Sequence, residues 1–363
     1  MKILLIVDSY LPSPKSAAKH FYDLARALAD LGHEPTVLTC SELVPGPHQL
    51  TVEDSIRVLR VRTPVMKSPS RVLRALREVR LPFVAWRRAQ KELAGMQCDL
   101  IVFYSPTIFW GPLVWRLKKL FRAPAYLYLR DIFPQWALDA GILRKGPAYY
   151  FFRAVERFQY SVADVIALQA HGDRAHFDGD DNSQGKLEVI YNWGPADEGP
   201  LPVLDFRSKL GLKDKTVFFF GGTFGVAQNM DAILDLARGV RHDDSIRILL
   251  AGDGTETARL KKTIEQERLE NVVMLPPLAQ RDYMALVSEI DVGIVSLARE
   301  LRTHNVPGKS LSYAHFSKPV LASLNPGTEF GDLVREFEAG FASDAGDTAR
   351  LVQNALQLAG DIE

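Results

Sequence analysis

The sequence predicts an α/β protein with two consecutive Rossmann-like domains, each a doubly wound parallel sheet, that face a common cleft. Three observations lead to this fold class. Short apolar runs alternate with longer amphipathic stretches, which is the pattern of βαβ units. A segment with three prolines and two glycines interrupts this pattern at 193–203. The alternation then starts again and continues towards the end of the chain.

The elements of the first half predict a domain over 1–195. The opening run KILLIVD fits a buried strand, and the stretch AKHFYDLARALADLG has apolar residues at helical spacing before Gly32. Further strand-like runs occupy 35–39, 99–104, 124–129, 164–168 and 187–192. We place an interdomain linker at about 193–203, where the prolines and glycines lie.

The second half predicts a domain over 204–363. Strand-like runs occupy 216–222, 246–252, 272–275, 291–297 and 319–324, and helical stretches separate them. Ligands of doubly wound domains bind at the carboxyl ends of the strands. The loops that follow these runs are therefore the place to look for functional residues.

The composition excludes several classes of protein. The 363 residues are 47% hydrophobic, and 44 basic side chains balance 44 acidic ones, so the charge gives no indication of nucleic acid binding. Two cysteines cannot supply a disulfide framework or a zinc site, which favours a reducing compartment. The N-terminal run is too short for a signal peptide, and no apolar run is long enough to span a bilayer. We expect a cytoplasmic protein.

Two glycine turns follow strands of the second domain. FFFGGTFGVAQNMD contains Gly222 and Thr223, and AGDGTE contains Gly252 and Asp253. Backbone N–H groups in such turns bind anions at helix N-termini, and two turns at consecutive strands predict a nucleotide site. Neither turn has the GxGxxG dinucleotide pattern, so a nicotinamide enzyme is disfavoured. The alternative is that the turns need glycine only for their tight geometry.

The stretch HNVPGKSLSYAHFSKPVLA places Lys309 where a helix begins after the strand at 291–297. Neither glycine turn contains a Lys or Arg, so an anionic ligand there would lack a cation. Lys309, with Arg302 as a second candidate, would supply that charge. The alternative is a solvated lysine on a surface turn.

In the first domain, Arg130 and Asp131 directly follow a strand. A carboxylate in that position can act as a general base or orient a hydroxyl of an acceptor. Neighbouring strand-end loops, which contain Ser105 and also Ser16 and Lys19, would form the same wall. The alternative is that Asp131 caps the next helix.

No metal site is predicted. The eight histidines lack the spacing of metal ligands, and the acidic run FDGDDNSQGK lacks the glycine and the final acid of a calcium loop. We interpret that acidic run as a solvated loop.

Three basic and aromatic segments of the first domain, at 67–91, 109–122 and 149–158, are typical of contact with an anionic membrane surface. The first has eight Lys or Arg residues against one acid, and Pro82 should break or kink its helical pattern. Each segment alternatively forms an ordinary helix with a charged outer face.

Six segments form an ordered series along the chain: YLPSPKSAAKHFYDLARALADLGHEPTVLT, RDIFPQWALDAGIL, SVADVIALQAHGDRAHF, GGTFGVAQNMD, AGDGTETARLK and VPGKSLSYAHFSKPVLA. Together they resemble the retaining GT-B glycosyltransferases of family 4, over nearly the whole chain. The second segment is similar to one in the subgroup that builds bacterial surface polysaccharides, especially the N-acetylfucosaminyl transferases of O-antigen and capsule assembly.

The resemblance implies a nucleoside-diphosphate-sugar donor, expected to be UDP-linked, in the second domain and a lipid-diphosphate-linked saccharide acceptor in the first. It implies transfer with retention by front-side attack, no cofactor or metal, and a peripheral location on the cytoplasmic membrane face. Lys309 would neutralise the β-phosphate, Gly222 and Thr223 would offer backbone donors, and Asp131 would orient the acceptor.

The chain departs from the family pattern at several positions. His304 and Ser312 stand where the family has two glutamates that hold the sugar and the ribose, and Asn305 lies beside the first of them. Gln228 lies in a glycine turn where the family keeps an Arg and a Lys. Two alternatives to a transferase therefore stay open, namely a GT-B sugar-nucleotide epimerase and a non-catalytic, membrane-associated scaffold subunit.

Overall fold

The computed structural model describes residues 1–13, 15–64, 71–105, 107–139, 141–194, 200–301 and 306–362, with the backbone alone for 71–75 and 181. The chain divides into two compact units, Met1–Tyr191 and Asn192–Glu363. The division lies directly before the predicted linker. Each unit is an α/β domain built on one largely parallel sheet.

The first unit contains an eight-stranded sheet in the order β3-β4-β2-β1-β5-β6-β7-β8. The strands are β1 Lys2–Ile6, β2 Glu34–Ser41, β3 His48–Glu53, β4 Ile56–Arg62, β5 Leu100–Ser105, β6 Ala125–Leu129, β7 Val165–Leu168 and β8 Leu187–Val189. The strand order reverses between β1 and β5, so the crevice for a ligand lies at the carboxyl ends of these two strands.

The edge of this sheet differs from the prediction, because β3 pairs with β4 in antiparallel orientation. Asp54 and Ser55 both have positive φ angles, 47° and 67°, as the tight turn of a two-residue hairpin requires. The runs HQLTVE and IRVLRVR alternate polar and apolar residues, and a search for wholly apolar runs misses this pattern.

Helices cover both faces of the first sheet. They are α1 Ser16–Asp30, α2 Arg71–Ala94, α3 Gly111–Phe121, α4 Gln135–Asp139, α5 Pro147–Val162 and α6 Asp181–Gln184. Pro82 was predicted to break or kink this helix; it does not break it, since α2 continues through it. A stripe of fully buried side chains on α2 offsets the lost backbone hydrogen bond; it comprises Leu81, Ala85, Ala89 and Leu93. The acidic run predicted as a loop includes the short helix α6.

The second unit has a six-stranded parallel sheet in the order β11-β10-β9-β12-β13-β14. The strands are β9 Thr216–Thr223, β10 Ile246–Asp253, β11 Val272–Leu275, β12 Val292–Ser296, β13 Val320–Leu324 and β14 Gly340–Asp344. The helices are α7 Phe206–Lys209, α8 Met230–Gly239, α9 Thr257–Glu267, α10 Gln280–Glu289, α11 Lys309–His315, α12 Glu329–Glu336 and α13 Thr348–Ile362.

Strand β9 divides the core of the second unit. Phe218 and Phe220 point into one apolar cluster and Phe219 into the other, because successive side chains of a strand face opposite sides. The strand order reverses between β9 and β12, so the ligand crevice of this sheet lies at their carboxyl ends. Within the described ranges, every helix is too short or too polar to cross a membrane.

Candidate active site

The predicted glycine turns meet at the carboxyl ends of β9 and β10. Gly222 has a φ of +133° and Gly252 a φ of +155°. A Cβ atom on Gly252 would lie 1.8 Å from the carbonyl oxygen of Gly222, so a side chain does not fit there. A Cβ on Gly222 would contact the Cε of Lys309 at 3.9 Å. Gly252 therefore has a packing role, while Gly222 is exposed beside Lys309.

Lys309 is the first residue of α11, and its side chain lies against β9. Its Nζ donates a hydrogen bond to Oε1 of Gln228 (2.7 Å) and lies 3.7 Å from the centre of the Phe220 ring. Burial lowers the pKa of Lys309 to about 7. The amino group is thus about half protonated at neutral pH, and a nearby anion would favour its charged form. A freely solvated surface lysine does not fit these contacts.

Asp253 fixes the start of α9. Its Oδ1 accepts hydrogen bonds from Oγ1 of Thr257 (2.7 Å) and from the backbone N of Gly254 (2.8 Å). The first of these bonds contributes most to lowering the pKa of the Asp253 carboxyl. Thr223, which pairs in register with Asp253, is exposed at the end of β9. Both of these predicted donor-binding residues are exposed at the strand ends.

Ser312 lies one helical turn after Lys309. A hydrogen bond links its side chain to Tyr283 of α10; burial nevertheless raises the pKa of Tyr283 to about 12. The other predicted residues of this segment, Arg302, His304 and Asn305, lie outside the described residues.

In the first unit, Arg130 follows β6 and its side chain reaches α1 and β5. Its Nη1 donates to Oγ of Ser16 (3.1 Å) and to the hydroxyl of Tyr104 (3.2 Å), and it lies 3.3 Å from Nδ1 of His20. Since a guanidinium only donates, this imidazole nitrogen accepts. Burial, followed by the charge of Arg130, lowers the pKa of His20 to about 4. The structure therefore joins two of the predicted residues, Ser16 and Arg130, in one polar cluster.

The carboxyl group of Asp131 lies in a poorly solvated position, and burial raises its pKa despite the opposing charge of Arg130. The backbone oxygen of Asp131 accepts a hydrogen bond from Oγ of Ser105 (3.3 Å). Asp131 does not cap the next helix, because α4 begins at Gln135. Nζ of Lys19 lies 2.9 Å from Oδ1 of Asp23 along α1, and the positive charge of Lys19 also lowers the pKa of His20.

Sequence reasoning missed His20 and Tyr104. His20 follows Ser16 by one turn of α1, and Tyr104 precedes Ser105 in β5, so both positions were adjacent to predicted residues. Helical spacing was the available signal for His20. Among the described residues, no group of three or more His, Cys, Asp or Glu side chains is arranged to hold a metal ion.

Two family models match the chain in order. The model described as "Glycosyl transferase 4-like domain" matches residues 17–193, and the model described as "Glycosyl transferases group 1" matches residues 214–361.

Two relatives are similar in sequence. The probable glycosyltransferase WbjE of Pseudomonas aeruginosa is 27% identical over 241 residues, which are 64% of this chain and 60% of that protein. The putative colanic acid biosynthesis glycosyl transferase WcaI of Escherichia coli (strain K12) is 24% identical over 360 residues, 93% of this chain and 86% of that protein.

Solved structures share the fold at low sequence identity. Sucrose-phosphate synthase from Thermosynechococcus elongatus has a TM-score of 0.74 and 16% identity, and the match covers 99% of this chain and 90% of that one. HepE from Anabaena, in complex with UDP-glucose, has a TM-score of 0.64 and 17% identity, covering 100% and 90%. With both domain models matched and the two-domain fold shared, the chain belongs to the group 1 glycosyltransferases of GT-B fold, with a glycosyltransferase 4-like N-terminal domain.

Proposed function

We propose that the chain is a retaining glycosyltransferase that moves a sugar from a UDP-linked donor to a lipid-diphosphate-linked saccharide in bacterial surface polysaccharide synthesis. The names of both relatives support glycosyl transfer, and WcaI is assigned to colanic acid biosynthesis. HepE binds UDP-glucose on the same fold, which supports a UDP-linked donor. The observation that carries the proposal is the position of Lys309, whose side chain lies beside the exposed Gly222 at the end of β9.

In this proposal the diphosphate of the donor binds at the carboxyl end of β9. Backbone N–H groups of Gly222 and Thr223 donate to it, and Lys309 neutralises the β-phosphate. A partly desolvated cation and fixed N–H groups stabilise the negative charge that develops on the leaving diphosphate. The diphosphate then accepts the proton of the attacking hydroxyl, and front-side attack retains the anomeric configuration. We propose an N-acetylated deoxyhexose as the sugar and assign no role to a metal or cofactor.

We assign the acceptor to the polar cluster of the first unit. The carboxylate of Asp131, whose pKa burial raises, would accept a hydrogen bond from a sugar hydroxyl and orient it, while the leaving diphosphate takes the proton. Nη1 of Arg130 is held by Ser16 and Tyr104, which fixes the guanidinium at the end of β6. These contacts suit the two residues to orienting a hydroxyl rather than to carrying out a separate covalent step.

The proposal of a lipid-linked acceptor is supported by one surface of the first unit. Helices α2, α3 and α5 pack side by side, and they expose large apolar side chains among many cations. The basic aromatic face consists of Phe83, Trp115, Leu120, Tyr150, Phe151 and Phe158 with the neighbouring Lys and Arg residues. Nζ of Lys119 lies 3.7 Å from the centre of the Trp115 ring. Such a combination binds anionic membranes through apolar insertion and charge attraction, and we propose peripheral membrane association through this face.

The proposal is tested by incubating the protein with a panel of UDP-sugars and a lipid-diphosphate-linked saccharide, with and without a chelator. We expect one donor to give an extended lipid-linked product with the anomeric configuration of that donor. A changed sugar nucleotide formed without acceptor would instead identify an epimerase. Absence of both product and nucleotide binding across the panel would contradict the proposed function.

A further inference from the structure

Gln228 is held in a fixed position opposite Lys309. It ends the short 3-10 turn Val226–Gln228 between β9 and α8. Its backbone N donates to the carbonyl oxygen of Gly225 (2.9 Å), and the backbone N of Ala298 donates to the carbonyl oxygen of Ala227 (3.0 Å). The turn is therefore tied to the loop after β12, and the Gln228 amide lies at a defined distance from the amino group.

The surroundings of Lys309 supply little other polarity. Strand β9 and the turn 226–228, against which its side chain packs, carry no charged residue. The carboxylate of Asp253 is bonded to Thr257 and Gly254, and among the described residues no charged group contributes to the pKa of Lys309, which burial lowers. His315, at the far end of α11, makes no contribution to that pKa. Among the described residues, Gln228 therefore provides the polar contact of this lysine.

The neutral side chain of Gln228 has a specific consequence. A lysine stem is long and flexible, so a bonded partner decides where its amino group lies. A carboxylate at 228 would neutralise Lys309 and compete with a phosphate. An apolar residue would leave the amino group with the face of the Phe220 ring but without a hydrogen-bond acceptor at 228. An amide oxygen holds the amino group while leaving its positive charge available to an anion.

We propose that Gln228 is a positioning residue that holds the amino group of Lys309 at the exposed backbone of Gly222, ready for the diphosphate of the donor. The identity of the anion rests on the proposed function, whereas the positioning itself does not. Gln228 is neutral and lies in a glycine turn where the glycosyltransferase family that this chain resembles keeps an Arg and a Lys. It predicts that Gln228 controls both the protonation of Lys309 and the pH dependence of diphosphate binding.

The first test measures the pKa of Lys309 without any ligand, by NMR of protein labelled at the lysine Cε and assigned with the Lys309→Arg variant. In Gln228→Glu we expect the pKa of Lys309 to rise by about 1 or more, because an opposite charge lies within hydrogen-bonding distance. In Gln228→Met, which keeps the length but removes the acceptor, we expect it to fall. Val226→Ala is the matched control, since Val226 is exposed in the same turn.

The second test measures UDP affinity from pH 6 to pH 9 in the same variants. We expect Gln228→Glu to bind UDP at least tenfold more weakly than wild type at pH 7. As the pH rises, we expect the UDP affinity of Gln228→Met to fall to half its maximum at a lower pH than that of wild type. An unchanged Lys309 pKa in both variants would overturn the inference, whatever the UDP result. If the pKa responds but wild type binds no nucleotide, the positioning role stands and the proposed function fails.

Discussion

Nη1 of Arg130 lies 3.3 Å from Nδ1 of His20, so a buried imidazole accepts a hydrogen bond from a guanidinium in the first unit. This arrangement requires neutral His20, because a protonated ring has no free acceptor and would face a like charge. The contact joins α1 to the loop after β6. It therefore ties the position of Arg130 to the protonation state of a histidine.

The folding stability of the protein should depend on pH through His20. Its folded pKa of about 4 lies below the ordinary histidine pKa of about 6.5 in an unfolded chain, so the unfolded state binds the proton more tightly. Stability is then fully present above pH 6.5 and is lost as the pH falls towards 4, by about 3 kcal/mol at most. We expect urea unfolding to show this loss in wild type and a smaller loss in His20→Asn. The control is His242→Asn, because His242 is exposed. An equal change of unfolding free energy with pH in all three proteins would contradict the assignment of this loss to His20.

Gly252→Ala should destabilise the second unit. The new Cβ would meet the carbonyl oxygen of Gly222 at 1.8 Å, and a φ of +155° is strained for alanine. We expect a loss of about 2–4 kcal/mol in the free energy of unfolding. Gly360→Ala is the matched control, because no atom lies within 4 Å of its new Cβ and helical alanine is favourable. Similar stabilities for the two variants would show that the strand ends are not packed as described.

The basic aromatic face should bind anionic vesicles. Replacing Trp115 and Phe158 by Ser should reduce binding to vesicles containing phosphatidylglycerol at least tenfold, and added salt should weaken wild-type binding. Phe337→Ser is the control, since Phe337 is 71% exposed in the second unit. Equal vesicle binding by the double variant and wild type would exclude this face as the membrane contact.

Binding of UDP should take up a proton at Lys309. The free amino group has a pKa of about 7, and a bound diphosphate raises that pKa, so affinity should fall by up to about tenfold per pH unit above pH 7. Calorimetry at pH 8 in buffers of different ionisation enthalpy measures the uptake directly. We expect most of one proton more for wild type than for Lys309→Arg. Identical proton uptake in the two proteins would show that the diphosphate does not change the protonation of Lys309.

Much of the fold follows from local pattern. Runs such as TVFFFGG and DVGIVSL are apolar because a covered parallel strand is buried on both faces, so they mark β9 and β12 closely. The β3–β4 hairpin was missed because an edge strand is only half-buried and alternates. At Pro82 the error is the opposite one, because the sequence predicted an interruption where the helix continues. Burial of one side of α2 outweighs the tendency of proline to end a helix.

The candidate site was predictable only in part. Glycines after strands and a lysine at the start of α11 indicated the carboxyl edge of the second sheet. The contact between Lys309 and Gln228 was not predictable, since it joins residues 81 positions apart through the packing of α11 on β9. The same holds for His20, whose role depends on the reach of Arg130 over 110 positions.

The role of Lys309 is tested most directly by the affinity of UDP for wild type and for Lys309→Ala, measured by calorimetry at pH 6.5, where the wild-type amino group is mostly charged. Loss of a charged hydrogen-bond donor should weaken binding by about 10–100-fold and reduce sugar transfer at least as much. Lys213→Ala, an exposed lysine of the same unit, should bind like wild type. Affinity and transfer within twofold of wild type in a folded Lys309→Ala protein would show that this lysine does not hold the donor diphosphate.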